Sequence, residues 1–168
     1  MLLALVASQA SAQDSETKSY KKVRIGLGLE GALPSGGLKT MYNYGGGASF
    51  RVAVAFSEKS AVTATTGAIA FIPKDLAGGV DMKAQINIPI KAGYKYMLSN
   101  KVYALGEAGT SIVKSYAVDG AGNVYSANGS AFTYAASIGA HALGLDTSLR
   151  YEGYSGAGFL GLRLGFNF

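Results

Sequence analysis

The chain holds a single histidine, His141, a few residues before Asp146 and flanked on the same stretch by Ser137 and Ser148. These are the residue types of a nucleophilic hydrolase, in which a carboxylate orients an imidazole and the imidazole draws the proton from a serine hydroxyl. Such a chain would be a membrane-embedded hydrolase or acyltransferase. No spacing here requires it, and a lone histidine with one carboxylate is more often structural, so no enzyme is expected. The stretch "GLGLEG" formally matches G-x-G-x-x-G through Gly26, Gly28 and Gly31. It lies inside an alternating strand and is followed by Pro34 instead of a helix, which removes the context a dinucleotide site needs. "DGAGN", Asp119 to Asn123, offers loop-type calcium ligands without the full spacing or the closing Glu, and reads as a turn. No cofactor and no metal site is expected.

The remaining chemistry-bearing residues are isolated charges of both signs set into apolar segments. Arg24, Arg51, Lys83, Lys91, Lys95, Arg150 and Arg163 alternate with apolar neighbours, as do Glu30, Glu107, Asp146 and Glu152. Where they point depends on the elements that carry them.

Only 15% of the residues are charged and 24 of 168 are Gly, against roughly 25% charged and 7% Gly in an average soluble protein. The length suits one domain. No run of about 18 apolar residues exists, so a bilayer would have to be crossed by strands. The net charge of +5 is spread singly, without a basic cluster, which argues against nucleic acid. The start, "MLLALVASQASAQ", reads as the remnant of a secretory signal, residues 1–12, with Ala10 and Ala12 in the A-x-A positions and cleavage after Ala12. Residues 13–21 form an N-terminal segment and 22–168 the folded domain.

From Lys22 onward the pattern is of period two, predicting an all-β chain of about eight strands. "KVRIGLGLEGAL" sets Val23, Ile25, Leu27 and Leu29 against Arg24, Gly26, Gly28 and Glu30. "ASFRVAVAF" sets Phe50, Val52, Val54 and Phe56 against Arg51. "SAVTATTGAIAFI" leaves its parity open between the Val62 and Thr63 rows. Met82, Ala84, Ile86, Ile88, Ile90, Ala92, Tyr94 and Tyr96 oppose Lys83, Gln85, Asn87, Pro89, Lys91 and Lys95. "KVYALGEAGTSIV" turns Glu107 inward together with Tyr103 and Leu105, a parity held open. "AFTYAASIGAHA", "LDTSLRY" and "GFLGLRLGFNF" repeat the two-faced design. Short turns at "SEKS", "LSNK" and "ALGL" alternate with longer connections at "PSGGLKTMYNYGG", "PKDLAGG", "YAVDGAGNVYSANGS" and "GYSGAG". Two unequal rims and an even strand count are the signature of an up-and-down barrel with both termini at the short-turn rim.

Alternation alone also fits a soluble lipocalin-like barrel that binds a small apolar ligand. The polar row, mostly Gly, Ala and Ser between isolated charges, suits a crowded narrow lumen and favours the inverted barrel, with the lipocalin-like binder as the alternative. Inside it, Arg24, Glu30, Arg51, Glu107, Asp146, Arg150, Glu152 and Arg163 are expected to form a charge network, because buried charges need partners. Aromatic residues gather toward the strand ends: Phe56, Tyr94, Tyr96, Phe166 and Phe168 on the short-turn side, and Tyr44, Phe71, Tyr116, Phe132, Tyr134, Tyr151 and Tyr154 on the other.

With these features the sequence resembles small Gram-negative outer-membrane β-barrels of the OmpA/OmpX transmembrane, porin-family type, over about Lys22 to Phe168. The terminal row Leu160, Leu162, Leu164, Phe166 and Phe168 carries the resemblance furthest. In that family such a C-terminus is the insertion signal read by the barrel-assembly machinery. The resemblance implies an integral outer-membrane protein, monomeric, in contact with lipid and lipopolysaccharide. Its role would be structural or surface-interacting, with at most a narrow channel. Pro89 departs from the pattern, since it removes a ladder hydrogen bond within a closed sheet, and a bulge is expected there.

Overall fold

A computed structural model describes residues 23–74, 81–82, 84–118 and 123–168. The signal and N-terminal segment, Lys83 and all of "DGAGN" but Asn123 lie outside the described residues. The elements run β1 (Val23–Gly36), α1 (Gly37–Met41), β2 (Tyr42–Ala55), β3 (Ser60–Pro73), β4 (Asp81–Met82), β5 (Gln85–Met97), β6 (Val102–Val118), β7 (Val124–Ala142), β8 (Leu145–Tyr154) and β9 (Ala157–Asn167). Eight long strands pair antiparallel in the order β6-β5-β3-β2-β1-β9-β8-β7, and β7 returns to β6 to close the ring. The two-residue β4 pairs only with the end of β6.

The period-two pattern sets which face is which. Leu27, Leu29, Val54, Val62, Ile90, Ile138, Leu149, Leu162 and Leu164 are exposed on the outer wall, while Thr63, Thr65, Asn87, Lys91, Glu107, Thr133 and Arg163 are buried on the inner one. A water-soluble barrel needs the opposite arrangement, so the lipocalin-like alternative is overturned. The open parities close as well: Thr63 and Thr65 face in, and Tyr103, Leu105 and Glu107 face in together.

The turns follow local chemistry. β7 and β8 join through Leu143 and Gly144, both in the left-handed region (φ 53° and 82°), the geometry of a two-residue hairpin whose twist matches its strands. The far rim differs from expectation in three places. "GYSGAG" is no long loop: Tyr154 pairs with Ala157 around Ser155 and Gly156. Much of "PSGGLKTMYNYGG" is strand, interrupted by the single turn of α1. "YAVDGAGNVYSANGS" is mostly strand too, because β6 and β7 stay paired out to Val118 opposite Val124. The asymmetry between the rims therefore comes from strand extension: β6 and β7 run to 17 and 19 residues, against the roughly 9–11 that cross a bilayer.

Pro89 produces no bulge. The β5–β6 register is unbroken through Pro89 opposite Ser111, and on the β3 side the ladder skips from Thr66–Ile90 to Ile69–Asn87 without a shift. Losing a stretch of ladder leaves the side-chain alternation intact, whereas a bulge would turn the Lys91 and Lys95 row toward the outside.

Two layers fill the lumen. Ionic and polar side chains occupy its middle. Toward the far rim Ala32, Leu38 of α1, Tyr42, Ile69, Phe71 and Phe159 pack as an apolar plug, with Tyr154 and Ala157 against it. Phe71 and Tyr154, expected in the outer aromatic girdle, belong inside. Phe71 sits on the inner row fixed by Thr63 and Thr65, and Tyr154 is turned toward Glu152 and Asn87. The remaining girdle aromatics are exposed on the outer wall.

Candidate functional site

The candidate site is the lumen. Strand parity puts one row of each strand, charged or polar in most of them, on the axis, and the narrow ring brings residues distant in sequence into contact. Arg163 on β9 donates from Nη1 to Asp146 Oδ2 on β8 at 2.9 Å and from Nε to Ser49 Oγ on β2 at 2.9 Å. Space for its guanidinium comes from glycine: a Cβ on Gly28 would lie 2.7 Å from Arg163 Nε, and one on Gly165 2.7 Å from Nη1. Gly26 and Gly28 of "GLGLEG" thus make room for Arg163, whereas Gly31 is exposed with no heavy atom near its missing Cβ.

Asp146 is the hub of the short-turn half. Tyr103 Oη donates to its Oδ1 at 2.6 Å, and Arg51 Nη1 stands 3.9 Å from its Oδ2. Arg51 passes the connection inward, donating from Nε to Thr65 Oγ1 at 3.1 Å, and Thr65 donates to Glu107. Lys91 lies 3.8 Å from Glu107 and donates to Glu152. Arg150 lies 3.3 Å from both Glu30 and Glu152. Beyond Glu152 the partners become neutral: Tyr154 donates to Glu152 at 3.1 Å, Asn87 to Tyr154 at 3.2 Å, Gln85 to Asn87 at 2.8 Å and Tyr42 to Gln85 at 3.1 Å. A continuous polar chain therefore runs from Asp146 to the apolar plug.

Of the charges expected in this network, Glu30, Arg51, Glu107, Asp146, Arg150, Glu152 and Arg163 are buried and brought together. Arg24 is not among them. It is exposed at the short-turn mouth, because it is the last inner-row residue of β1 before the rim. Lys91 and Lys95, isolated charges on the same polar row of β5 as Asn87, join the buried set. The neutral linkers Ser49, Thr65, Tyr103 and Tyr154 carry no charge signal and were not anticipated.

Among the described residues the histidine shows no hydrogen bond to a serine. Lys95 Nζ stands 2.7 Å from His141 Nε2, while His141 Nδ1 lies 3.3 Å from Asn167 Nδ2 and 3.7 Å from Asp146 Oδ1. Ser137 lies four residues back along the same inner row, about 13 Å away at strand rise, and Ser148 is paired opposite Gly139. Among the described residues no group of three His, Cys, Asp or Glu side chains is placed to hold a metal. The terminal row Leu160, Leu162, Leu164, Phe166 and Phe168 is exposed on the outer wall.

An apolar outer wall around a closed, ion-filled lumen defines a transmembrane β-barrel of eight strands. Solved structures of that class share the fold. Ail, the attachment invasion locus protein of Yersinia pestis, matches with a TM-score of 0.65 at 14% identity, over 87% of this chain and 97% of that one. Neisserial surface protein A matches at 0.52 and 14%, over 87% and 96%. A de novo designed transmembrane β-barrel matches at 0.50 and 10%, over 90% of this chain and 100% of that one. No protein-family model and no curated protein matches the sequence.

Proposed function

We propose that the protein is an integral outer-membrane barrel, closed to solutes, that displays the β6–β7 hairpin as a surface for interaction outside the cell. The observation carrying this reading is the hairpin itself. β5 last pairs with β6 at Lys114, and β7 first pairs with β8 at Tyr134, so beyond those points the two strands extend past the ring with, among the described residues, β4 alone paired beside them. Ser126, Ala127, Asn128, Gly129 and Ser130 are exposed along it, with Tyr116 and Tyr125. Tyr, Ser, Asn and Gly together form the adaptable, weakly charged surface that recognition loops favour. Ail, with the same fold, is named for attachment and invasion, which agrees with such a role.

The ring of exposed aliphatic side chains between aromatic girdles fits contact with lipid and lipopolysaccharide, and the protein acts as a monomer. The row Leu160, Leu162, Leu164, Phe166 and Phe168 serves as the signal for the barrel-assembly machinery, after export by a signal ending at Ala12. Two measurements test the reading. The protein should partition with outer membranes and migrate differently on gels before and after boiling; full recovery in the aqueous fraction would overturn it. Replacing residues 115–127 by a two-residue turn, which joins the paired Lys114 and Asn128, should leave the barrel folded and abolish surface binding. Undiminished binding to cells or matrix would refute the role of the hairpin.

A further inference from the structure

At the end opposite the hairpin the lumen opens into a vestibule. Two cavities of about 310 and 460 Å³ meet there, the first lined by Arg24, His141, Leu143, Asn167 and Phe168 and the second by Arg24, Lys59, Ser99, Asn100 and His141. Their volumes suit a small ligand. The room exists because the inner rows end in Ala53, Ala55 and Ala61, which also line a recess shared by Arg24 and Lys95.

The charge here is one-sided. Among the described buried residues the lumen holds five cations, Arg51, Lys91, Lys95, Arg150 and Arg163, and four carboxylates, Glu30, Glu107, Asp146 and Glu152. The unmatched cation is Lys95. It is only 6% exposed, yet its ammonium meets an imidazole and the face of Tyr103, 3.6 Å from the ring centroid, and among the described residues no carboxylate within ion-pair distance. Asp146, the nearest hub, is engaged by Tyr103 and Arg163. Arg24 and Lys59 add positive charge at the rim, and among the described side chains lining the same space Glu58 is the one carboxylate. A buried ammonium without a counter-charge, in a concave mouth whose other charges are mostly positive, draws anions by a focused field.

We infer that this vestibule is a binding site for a small oxyanion, a phosphate or carboxylate group held between Arg24 and the Lys95–His141 pair. Arg24 supplies a planar, multi-donor contact at the entrance, and Lys95 the field behind it. Arg24, Lys95 and His141 stand on inner rows, while lipid headgroups surround the outer wall, so the oxyanion is a solute of the compartment at the short-turn rim.

The sole histidine makes the test specific. The full chain, folded in neutral-detergent micelles, is titrated with inorganic phosphate while the imidazole resonances of His141 are followed by NMR. Saturable shifts are expected, absent from a sodium chloride titration of equal ionic strength. In Arg24→Ala, at an exposed position that leaves the fold intact by gel heat-modifiability, the affinity should fall by up to about five-fold, the loss of one exposed charge contact. Shifts reproduced by chloride, or unchanged affinity in Arg24→Ala, would overturn the site. The same resonances are then recorded in phosphate-free nanodiscs of phosphatidylcholine with and without phosphatidylglycerol. No difference is expected, and a shift caused by the anionic lipid would assign the anion to a headgroup and overturn the soluble ligand.

Discussion

Arg163 shows how a single buried residue is held. Its guanidinium meets Asp146 and Ser49 at hydrogen-bond distance, Glu30 stands 3.8 Å away, and glycines face it from β1 and β9. Removing one member of such a group strands its partners' charge in a low-dielectric interior. Arg163→Met is therefore expected to destabilise the barrel by about 3 kcal/mol or more, and the double variant with Asp146→Leu by less than the single change. Urea unfolding in lipid vesicles measures both; a double variant no more stable than Arg163→Met would contradict the pairing. Gly28→Val places side-chain atoms where the guanidinium lies and should cost roughly 1–3 kcal/mol in the same assay. Wild-type stability in Gly28→Val would mean that Arg163 is free to move.

At the scale of the strand, parity governs the outcome of substitution. Leu162 on β9 is exposed on the outer wall between Gly161 and the buried Arg163, whereas Leu143 is fully exposed at a turn of the rim. Leu162→Arg should cost about 2–4 kcal/mol and Leu143→Arg about 0–1 kcal/mol, since the penalty for a charge facing lipid falls toward the interface. Equal effects would place both residues in the same environment. Parity is also what the sequence made legible. Strands with charges on one row and Leu, Ile or Phe on the other, such as β1, β5, β8 and β9, could be oriented from their residues alone. β3 could not, because Ala and Thr are small enough for either face and only pairing with β2 and β5 decides. Strand length was less legible: "NVYSANGS" has the composition of a loop, and it is strand because β6 lies alongside it. Phe71 and Tyr154 misled for a related reason. An aromatic near a strand end fits a girdle or a plug equally well, and the difference lies in contacts of Phe71 with Phe159 and of Tyr154 with Asn87, far away in the chain.

At the scale of the molecule, the inverted distribution of side chains decides what the barrel can do. Ion pairs across its middle, the apolar plug under α1 and the stacked Tyr103–His141 pair nearer the mouth leave the ring filled, so the protein is expected to show no porin-like conductance steps in planar bilayers. Large, stable steps would mean that the ion pairs part under voltage or that the plug is displaced. The filled lumen agrees with a role carried at the rims, by the hairpin on one side and the cationic vestibule on the other.

The central claim, that the aliphatic row meets lipid and the polar row the axis, is tested most directly without mutation. In nanodiscs whose acyl chains carry a doxyl spin label, methyl NMR signals should weaken for Leu162, Leu164, Ile90 and Ile138 and persist for Ile69 and Leu105, which are buried in the lumen. Attenuation of Ile69 and Leu105 with the outer-wall methyls untouched would contradict it.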